Sequence, residues 1–314
     1  MIFNFVNLSD IVDLFTLGLT PVIRCRSSPN WRRLRRDQVF YYKSKKHYGR
    51  RTLSIAFRFI AHDDEHQFAL FYPYTPTTLH SYLNRLTVQA ERSKLQSKKD
   101  QSYDVAKTSS KSESSALHSR YSIDQLCSSV VLRPIYSLSI TDHEGEATTV
   151  FIIGRLHGNL DSVSSYVCQG IIDFALCDHI VARAARKLMR LIVVPMQDPD
   201  SIIAGNTRSD IFGQSEMTTK IVRTNPNIYK ITQYLLEQVK KSASKQRTIF
   251  VELRTNIRLI GLRTVSILYN NQLRMEKHLQ LPRLLAKFID AFYLEKCVFF
   301  EKGNKLSIPL DDIR

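Results

Sequence analysis

The second half of the chain alternates between strand-like and helix-like hydrophobic patterns, and this alternation limits the possible folds more than any other feature. TVFII at 149–153 and LIVVPM at 191–196 have the pattern of buried strands. Apolar residues recur at helical spacing over 162–176 and again over 226–242. A further strand pattern follows at 248–253. Strands that alternate with helices predict a mainly parallel sheet with helices on both faces.

The first ninety residues have a different character. Segments 39–42 and 53–60 are dense in β-branched and aromatic residues, and residues 77–86 have helical spacing after a threonine start signal. Residues 90–120 are rich in Ser and Lys and nearly free of aliphatic residues, which predicts a disordered insertion. We therefore expect a β-rich domain over 1–89, a disordered segment over 90–120 and an α/β domain over 121–314.

Charge and cysteine content restrict the class of protein. The 314 residues include 45 Lys and Arg against 29 Asp and Glu, a net charge of +16, which indicates an acidic partner. No apolar run approaches the roughly 20 residues needed to cross a bilayer, so we expect no membrane association. The five cysteines are odd in number and form no CxxC pair, which favours reduced thiols and a cytoplasmic location. No RNA-binding aromatic signature or helix-turn-helix pattern supports binding to nucleic acid.

Several phrases, in this order and spacing, carry a resemblance to one family. They are NFVNL (4–8), FALFYPYTPTTLHSYL (68–83), IIGRLHGNLDS (152–162), VVPMQDPDSIIAGNTR (193–208) and QLPRLLAKFIDAFYLEKCVFF (280–300). The chain resembles the cytosolic carboxypeptidases, M14-type zinc peptidases that trim glutamates from protein tails. This resemblance implies an N-terminal antiparallel β-sandwich followed by an α/β zinc-carboxypeptidase-like domain with a mixed, mainly parallel sheet. We expect the sandwich to be incomplete at its start and the α/β domain at its end.

The resemblance also implies a set of zinc ligands that this sequence does not retain. The family uses a His and a Glu three residues apart, together with a His from a later strand. His157 occupies the first position, but Leu160 stands at the second and Arg254 at the third. Neither a leucine nor a guanidinium can donate an electron pair to a cation. We therefore interpret His157 as a lone remnant and expect no bound zinc, which would be the cofactor only if the family function were retained.

The family's substrate-binding residues are also mostly missing from this sequence. Arg208, in GNTR, matches the family arginine that polarises the scissile carbonyl. The family's Asn-Arg pair that clamps the terminal carboxylate falls on Met217 and Thr218. The general base of the family belongs to a strand beyond the segment that ends at Arg314. We expect a catalytically inactive protein in which Arg208 is the one retained substrate-binding residue.

Three hypotheses follow from the sequence. The first is an inactive carboxypeptidase-like protein that binds acidic protein tails, such as those of polyglutamylated tubulin in microtubules. The second is an active zinc metallocarboxypeptidase that removes C-terminal glutamates and whose gene model is incomplete. The third is a basic nucleic-acid-binding protein, which only the net charge supports.

One acidic cluster stands apart from these motifs. The segment HDDEH at 62–66 combines two histidines with three carboxylates. We interpret it as a solvated turn rather than as a metal site.

Overall fold

The structure is a computed structural model in which only part of the chain is described. The described residues are 1–6, 15–16, 18–59, 64–103, 121–143, 148–155, 158–207, 209–213, 227, 230–231, 233–234, 237, 248–253, 266–268, 298–301 and 304–306. The chain divides into two compact units, one formed by residues 1–68 with 256–314 and the other by 69–255. The predicted boundary at residue 89 differs from this division.

The N-terminal residues form two small sheets. Strands β1 (Ile2–Phe5), β4 (Val39–Lys43) and β5 (Arg51–Ala56) make an antiparallel sheet in the order β1-β5-β4. Strands β2 (Val22–Cys25), β3 (Arg32–Arg33) and β6 (His66–Ala69) make a second sheet in the order β3-β2-β6.

Apolar side chains from both sheets share one buried cluster. Its members are Ile23, Leu34, Ile55 and Phe57, with Phe3, Val39 and Phe68 packed against them. Because Ile23 belongs to β2 and Ile55 to β5, the cluster lies between the two sheets. The predicted β-sandwich is therefore confirmed.

A five-stranded sheet forms the centre of the second unit. Its strands are β7 (Tyr121–Ser128), β8 (Pro134–Ile140), β9 (Thr148–Gly154), β10 (Met189–Val194) and β11 (Thr248–Leu253). They are arranged in the order β11-β9-β10-β8-β7. The pairs β11-β9 and β9-β10 are parallel, whereas β10-β8 and β8-β7 are antiparallel. The sheet is therefore mixed, with the parallel strands at the end where the resemblance places the site.

Four helices are described beside this sheet. They are α1 (Pro76–Tyr103), α2 (Ser162–Leu176), α3 (Ile180–Leu188) and α4 (Pro199–Ile203). The bounds of α2 and β11 match the predicted ones. The segment ARAARKLMR at 182–190 predicts a short basic helix, and α3 begins two residues before it. β10 likewise begins two residues before the predicted start. In the described part of the chain, no helix is both long and apolar enough to span a membrane.

Side chains on the two faces of the sheet belong to different clusters. Val150 and Ile152 of β9 pack with Leu83 of α1 and Ile172 of α2, whereas Phe151 packs with Ile231 on the opposite face. Ile231 lies in the segment predicted to be helical over 226–242, and it is helical and fully buried. Successive side chains of a strand point to opposite faces of the sheet, so Val150 and Ile152 join one cluster and Phe151 joins the other.

Helix α1 corrects one prediction. It begins at Pro76, with the Thr75 hydroxyl accepting a hydrogen bond from the Thr78 amide at 3.1 Å, as the threonine start signal indicates. It then continues to Tyr103, so the disorder predicted for 90–103 is wrong. The reason is physical: Lys, Gln, Arg and Glu lack hydrophobic character but are good helix formers. Residues 104–120 lie outside the described part of the chain.

Three further short strands form a separate sheet. They are β12 (Ser266–Leu268), β13 (Val298–Glu301) and β14 (Asn304–Leu306), in the order β12-β13-β14. VSILY at 265–269 and CVFFE at 297–301 have the pattern of strands in the sequence, and β12 and β13 coincide closely with them. The amphipathic pattern over 281–292 predicts a helix, and this segment lies outside the described residues.

Candidate functional site

Three parallel strands end together at one edge of the central sheet, which we call the carboxyl edge: the ends of β9, β10 and β11 and the loops that follow them. In the register, Ile153 of β9 lies opposite Val194 of β10, and Gly154 lies opposite Leu253 of β11. Crevices outside the carboxyl ends of parallel strands are the usual ligand sites of α/β sheets. The positions that follow these strands, including 155 and 254, are therefore the candidate site.

Most of the predicted site residues lie outside the described part of the chain. His157, Arg208 and Arg254 lie outside it, and so do Met217 and Thr218. Leu160 is described by its backbone, within a 3₁₀ turn over Asn159–Asp161 that leads into α2. The structure therefore places the immediate neighbours of the predicted ligands rather than the ligand side chains themselves.

Hydrogen bonds connect the loop after β9 to the loop after α4. The Asn159 amide donates to the Asn206 carbonyl oxygen at 2.8 Å, and the Asn159 side-chain amide donates to the carbonyl oxygens of Ile202 and Asn206 at 3.2 Å. A Cβ atom on Gly158 would lie 1.9 Å from the Asn206 carbonyl oxygen, so only glycine permits this approach. The structure thus brings together the two loops that carry positions 157 and 208.

A buried arginine that sequence reasoning missed stands at the start of this site. Arg155 follows β9 directly, is fully buried, and has a left-handed backbone with φ of 57°. Its amide donates to the Ser164 hydroxyl and its Nε donates to the Gly158 carbonyl oxygen, each at 2.8 Å. Nη1 and Nη2 are buried, and neither has a hydrogen-bond partner among the described residues. The positive φ and the unpaired nitrogens are costly, and such strain is common at functional sites.

Burial shifts the pKa of Arg155. Loss of solvation lowers the pKa of its guanidinium to about 10, while the Asp161 carboxylate and the tyrosines Tyr74 and Tyr166 act in the opposite direction. The group remains protonated at neutral pH, so it places a positive charge inside the carboxyl edge. The sequence signal was its place in the phrase IIGRLHGNLDS, but its burial depends on packing that composition does not reveal.

A carboxylate network supports the loop that leads to Arg208. Asp200 of α4 accepts hydrogen bonds from the Ser129 hydroxyl at 2.7 Å, the Arg133 guanidinium at 3.0 Å and the Val131 amide at 3.2 Å. Asp198 accepts from the Ser201 amide at 3.3 Å and caps the first turn of α4. The network therefore fixes the first turn of α4.

The two aspartates of this network have opposite pKa shifts. Burial pushes the pKa of Asp200 upward, but the hydrogen bonds from Ser129, Arg133 and its other donors outweigh burial and hold the pKa below 3.8. For Asp198 burial prevails over hydrogen bonds from Ser201 and Asn227, and its pKa is raised. Asp200 is thus the aspartate whose charge stabilises the fold at neutral pH.

Replacing Asp200 with asparagine is expected to lower the free energy of unfolding by about 2 kcal/mol at neutral pH, because the neutral amide weakens the charge-assisted hydrogen bonds. Since the folded-state pKa lies below 3.8, this contribution is fully present above that pH and is lost as the pH falls through the folded pKa. Urea unfolding of wild type and variant across the acidic range should show the difference narrowing below about pH 4. Asp178→Asn, on the exposed surface, is the matched control; a difference that persists at low pH would contradict this account.

The ligand positions that the resemblance assigns combine one imidazole with two side chains that cannot bind a metal. They are His157, Leu160 and Arg254, and Arg155 adds a buried positive charge two residues before His157. Among the described residues, the one cluster of three potential metal-ligating side chains is Cys25, Asp64 and His66, which belongs to the β-sandwich.

Comparison with known proteins agrees with the fold. Residues 111–229 match the zinc carboxypeptidase family, peptidase M14. Cytosolic carboxypeptidase 6 of Mus musculus is 34% identical over 218 residues, covering 68% of this chain and 35% of that protein. Cytosolic carboxypeptidase 6 of Homo sapiens is 28% identical over 300 residues, covering 93% of this chain and 54% of that protein.

The structural neighbours are carboxypeptidases as well. The crystal structure of a metallo-carboxypeptidase from Burkholderia cenocepacia aligns with 96% of this chain and 70% of that chain, with a TM-score of 0.66 and 15% identity. At that identity the similarity establishes the fold alone. The chain spans 35% to 60% of the length of the three cytosolic carboxypeptidase 6 proteins it matches.

Proposed function

Because the chain belongs to the cytosolic carboxypeptidases, we propose that it keeps the family's scaffold, has lost zinc-dependent hydrolysis and binds acidic protein tails in the cytoplasm. The observation that carries the proposal is the parallel register in which Leu253 lies opposite Gly154. In the sequence, residue 254 follows Leu253 directly, just as Arg155 follows Gly154. The family resemblance aligns Arg254 with the last metal ligand, so the proposal takes an arginine to stand where the family needs a donor.

The same edge suits an anionic group better than a cation. Arg155 contributes a buried guanidinium, two nitrogens of which have no hydrogen-bond partner in the described part of the chain. The sequence supplies two further arginines, Arg208 and Arg254, at positions that the family resemblance assigns to the site. Guanidinium groups bind carboxylates through charge-assisted and often bidentate hydrogen bonds. A site in which arginines replace metal ligands can hold a carboxylate without being able to activate water.

Charge outside the edge supports the same class of partner. The first 59 residues contain 12 Lys and Arg against 3 Asp and Glu, so the β-sandwich carries much of the net charge of +16. Residues 90–120 contain 7 Lys and Arg against 4 Asp and Glu and so contribute a smaller part of the excess. A broad basic surface attracts acidic segments and accelerates association at low salt. The glutamate-rich tails of tubulin, implied by the family resemblance, are the partner we propose.

Arg208→Ala is expected to weaken binding to a polyglutamylated peptide about tenfold, because it removes a charge-assisted hydrogen bond worth roughly 1.5 kcal/mol. Arg208→Lys should also weaken binding, since lysine lacks the planar fork. The measurement is the dissociation constant by fluorescence anisotropy. Arg183→Ala, on the exposed side of α3, is the control and should leave the affinity unchanged.

The partner class has a separate test. Co-sedimentation with microtubules should fall sharply once their acidic tails are removed by protease, and should decrease with increasing salt. Binding that persists without the tails would contradict the proposed partner. Tighter, salt-dependent binding to DNA at physiological ionic strength would favour the nucleic-acid alternative instead.

A further inference from the structure

A cluster of three potential ligands lies in the β-sandwich, where strand β2 ends and strand β6 begins. The Cys25 thiol, a carboxylate oxygen of Asp64 and a ring nitrogen of His66 all lie within 4.8 Å of one another. Each of the three residues is half-buried. Two of its members, Asp64 and His66, belong to the segment 62–66, which we interpreted from the sequence as a solvated turn. Residues 62 and 63 lie outside the described part of the chain. The pairing of β2 with β6 brings Asp64 and His66 close to Cys25, about 40 positions earlier in the sequence.

Hydrogen bonds hold the two strand ends together independently of these three side chains. The Arg26 amide donates to the Glu65 carbonyl oxygen at 3.1 Å, and the Arg24 Nε donates to the Gln67 side-chain oxygen at 2.8 Å. These bonds lie on either side of the pair formed by Cys25 and His66. The cluster is therefore a consequence of the strand pairing and does not depend on the orientation of one loop.

The imidazole of His66 is oriented in the way that metal-binding histidines usually are. Its Nδ1 lies 2.9 Å from the Asp64 carbonyl oxygen, and since a carbonyl oxygen only accepts, Nδ1 carries the proton. In the neutral ring Nε2 then keeps its electron pair, the state that binds a metal. The rings of Phe57 and Phe59 pack edge-on against the imidazole at centroid distances of 5.2 and 5.0 Å, which limits its rotation.

The carboxylate of Asp64 is fixed as well. Ser27 donates to it twice, from its hydroxyl at 2.6 Å and from its amide at 3.2 Å. The same hydroxyl lies 3.3 Å from the Cys25 sulfur. Because that hydroxyl gives its own hydrogen to Asp64, the thiol is the donor in this second contact. Each carboxylate oxygen retains a lone pair beyond these bonds.

We propose that Cys25, Asp64 and His66 form a zinc site in the β-sandwich, with water as the fourth ligand. Sulfur, nitrogen and carboxylate oxygen are the ligand types that Zn²⁺ binds, and three protein ligands with one open position are an established arrangement. Two ligands of one zinc lie roughly 3 to 4 Å apart, so side-chain movements of about 1 Å close the site. A thiolate and a carboxylate balance the charge of the ion.

Binding at this site has a defined stoichiometry and a structural consequence. The Cys25 thiol loses its proton to solvent as the sulfur–zinc bond forms, so one proton is released from the thiol for each ion bound. The metal would then cross-link the end of β2 to the start of β6 and stabilise the sandwich. The proposal does not rest on the function proposed for the carboxyl edge.

Cobalt titration of the full chain tests the site. Purified, metal-free protein should bind one equivalent of Co²⁺ with a thiolate-to-cobalt absorption band, and Zn²⁺ should displace it. Cys25→Ser should abolish the band, and His66→Gln should weaken zinc binding by at least roughly 100-fold, because the loss of outer partners alone costs 10- to 100-fold. The matched control is Cys127→Ser, a half-buried cysteine in the other unit, which should leave the band unchanged.

A second measurement keeps the test independent of folding defects in the variants. In the wild-type protein, Zn²⁺ should slow alkylation of Cys25 by iodoacetamide, measured by peptide mass spectrometry, at least tenfold more than it slows alkylation of Cys127. The proposal is overturned if wild-type protein shows no thiolate band, if the band survives Cys25→Ser, or if zinc does not protect Cys25. His157→Ala should have no effect on any of these readouts, which separates this site from the carboxyl edge.

Discussion

Arg186→Met is expected to lower the free energy of unfolding by about 3 to 5 kcal/mol, the range seen when one partner of a buried ion pair is removed. The Arg186 side chain on α3 has no solvent exposure, and its Nε donates to the Asp142 carboxylate at 2.6 Å. Its Nη1 donates to the carbonyl oxygens of Ala175 and Cys177 at 2.5 and 2.9 Å. One guanidinium thus joins α3, the end of α2 and the segment after β8.

The cost is large because three acceptors lose a charged donor at once. Methionine approximates the length of the aliphatic stem but leaves the carbonyl oxygens at the end of α2 without this partner and Asp142 without its counter-ion. The measurement is urea unfolding followed by circular dichroism and by tyrosine fluorescence. Coincident transitions by the two probes establish that one cooperative change is being compared.

The control for this prediction lies one turn away on the same helix. Arg183 is exposed, so Arg183→Met should change the free energy of unfolding by no more than about 0.5 kcal/mol. Equal effects of the two substitutions would contradict the role assigned to Arg186. A small effect of Arg186→Met would mean that the carbonyl oxygens at the end of α2 are satisfied without it.

The second large effect concerns metal binding at the carboxyl edge. In a Cys25→Ser background, the double substitution Leu160→Glu with Arg254→His is expected to create a zinc site with a dissociation constant of roughly 1 μM or tighter, about 8 kcal/mol of binding free energy. We expect this binding because the backbone around the ligand positions is ordered by three features: the 3₁₀ turn at 159–161, the close approach of Gly158 to Asn206 and the register of β11. We call this backbone arrangement the frame. The two substitutions supply the two metal-binding side chains that the frame lacks.

Isothermal titration with zinc measures this gain. The variant should bind one equivalent, and a further His157→Ala substitution should abolish the binding because it removes the remaining ligand. The single variants Leu160→Glu and Arg254→His should each bind more weakly than the double variant. Zinc binding that is indifferent to His157 would mean that the frame of the family's site is not preserved.

The central sheet was largely predictable because its signals are local. β9, β10 and β11 each contain an apolar run, and α2 has apolar residues at helical spacing, so each element was recognisable from neighbours along the chain. The face that α2 buries was not predictable in this way. Most of the apolar residues at helical spacing, Val163, Tyr166, Val167 and Phe174, are exposed, whereas Ser162, Ser164, Ser165, Cys168, Ile172 and Ala175 are buried. Another exception is α1, where low hydrophobicity in 90–103 outweighed the helix propensity of the same residues in our interpretation. A low content of hydrophobic residues indicates that a segment buries little surface, but a solvent-exposed helix can form without much burial.

The site was less predictable because its features depend on residues far apart in the sequence. The guanidinium of Arg155 is buried near Tyr74, Asp161 and Tyr166, and the proximity of Cys25 to His66 depends on the order of strands in a sheet. Neither can be read from a local pattern. That Leu160 and Arg254 stand at ligand positions stays a prediction of the family resemblance.

The most direct test of the central claim, that this chain keeps the carboxypeptidase fold without its hydrolytic chemistry, is glutamate release from a polyglutamylated peptide in the presence of zinc. Wild-type protein should release no glutamate above the rate of buffer alone, while binding the same peptide, and any zinc it retains should be lost with Cys25→Ser. Glutamate release that a chelator abolishes and that His157→Ala eliminates would contradict the account.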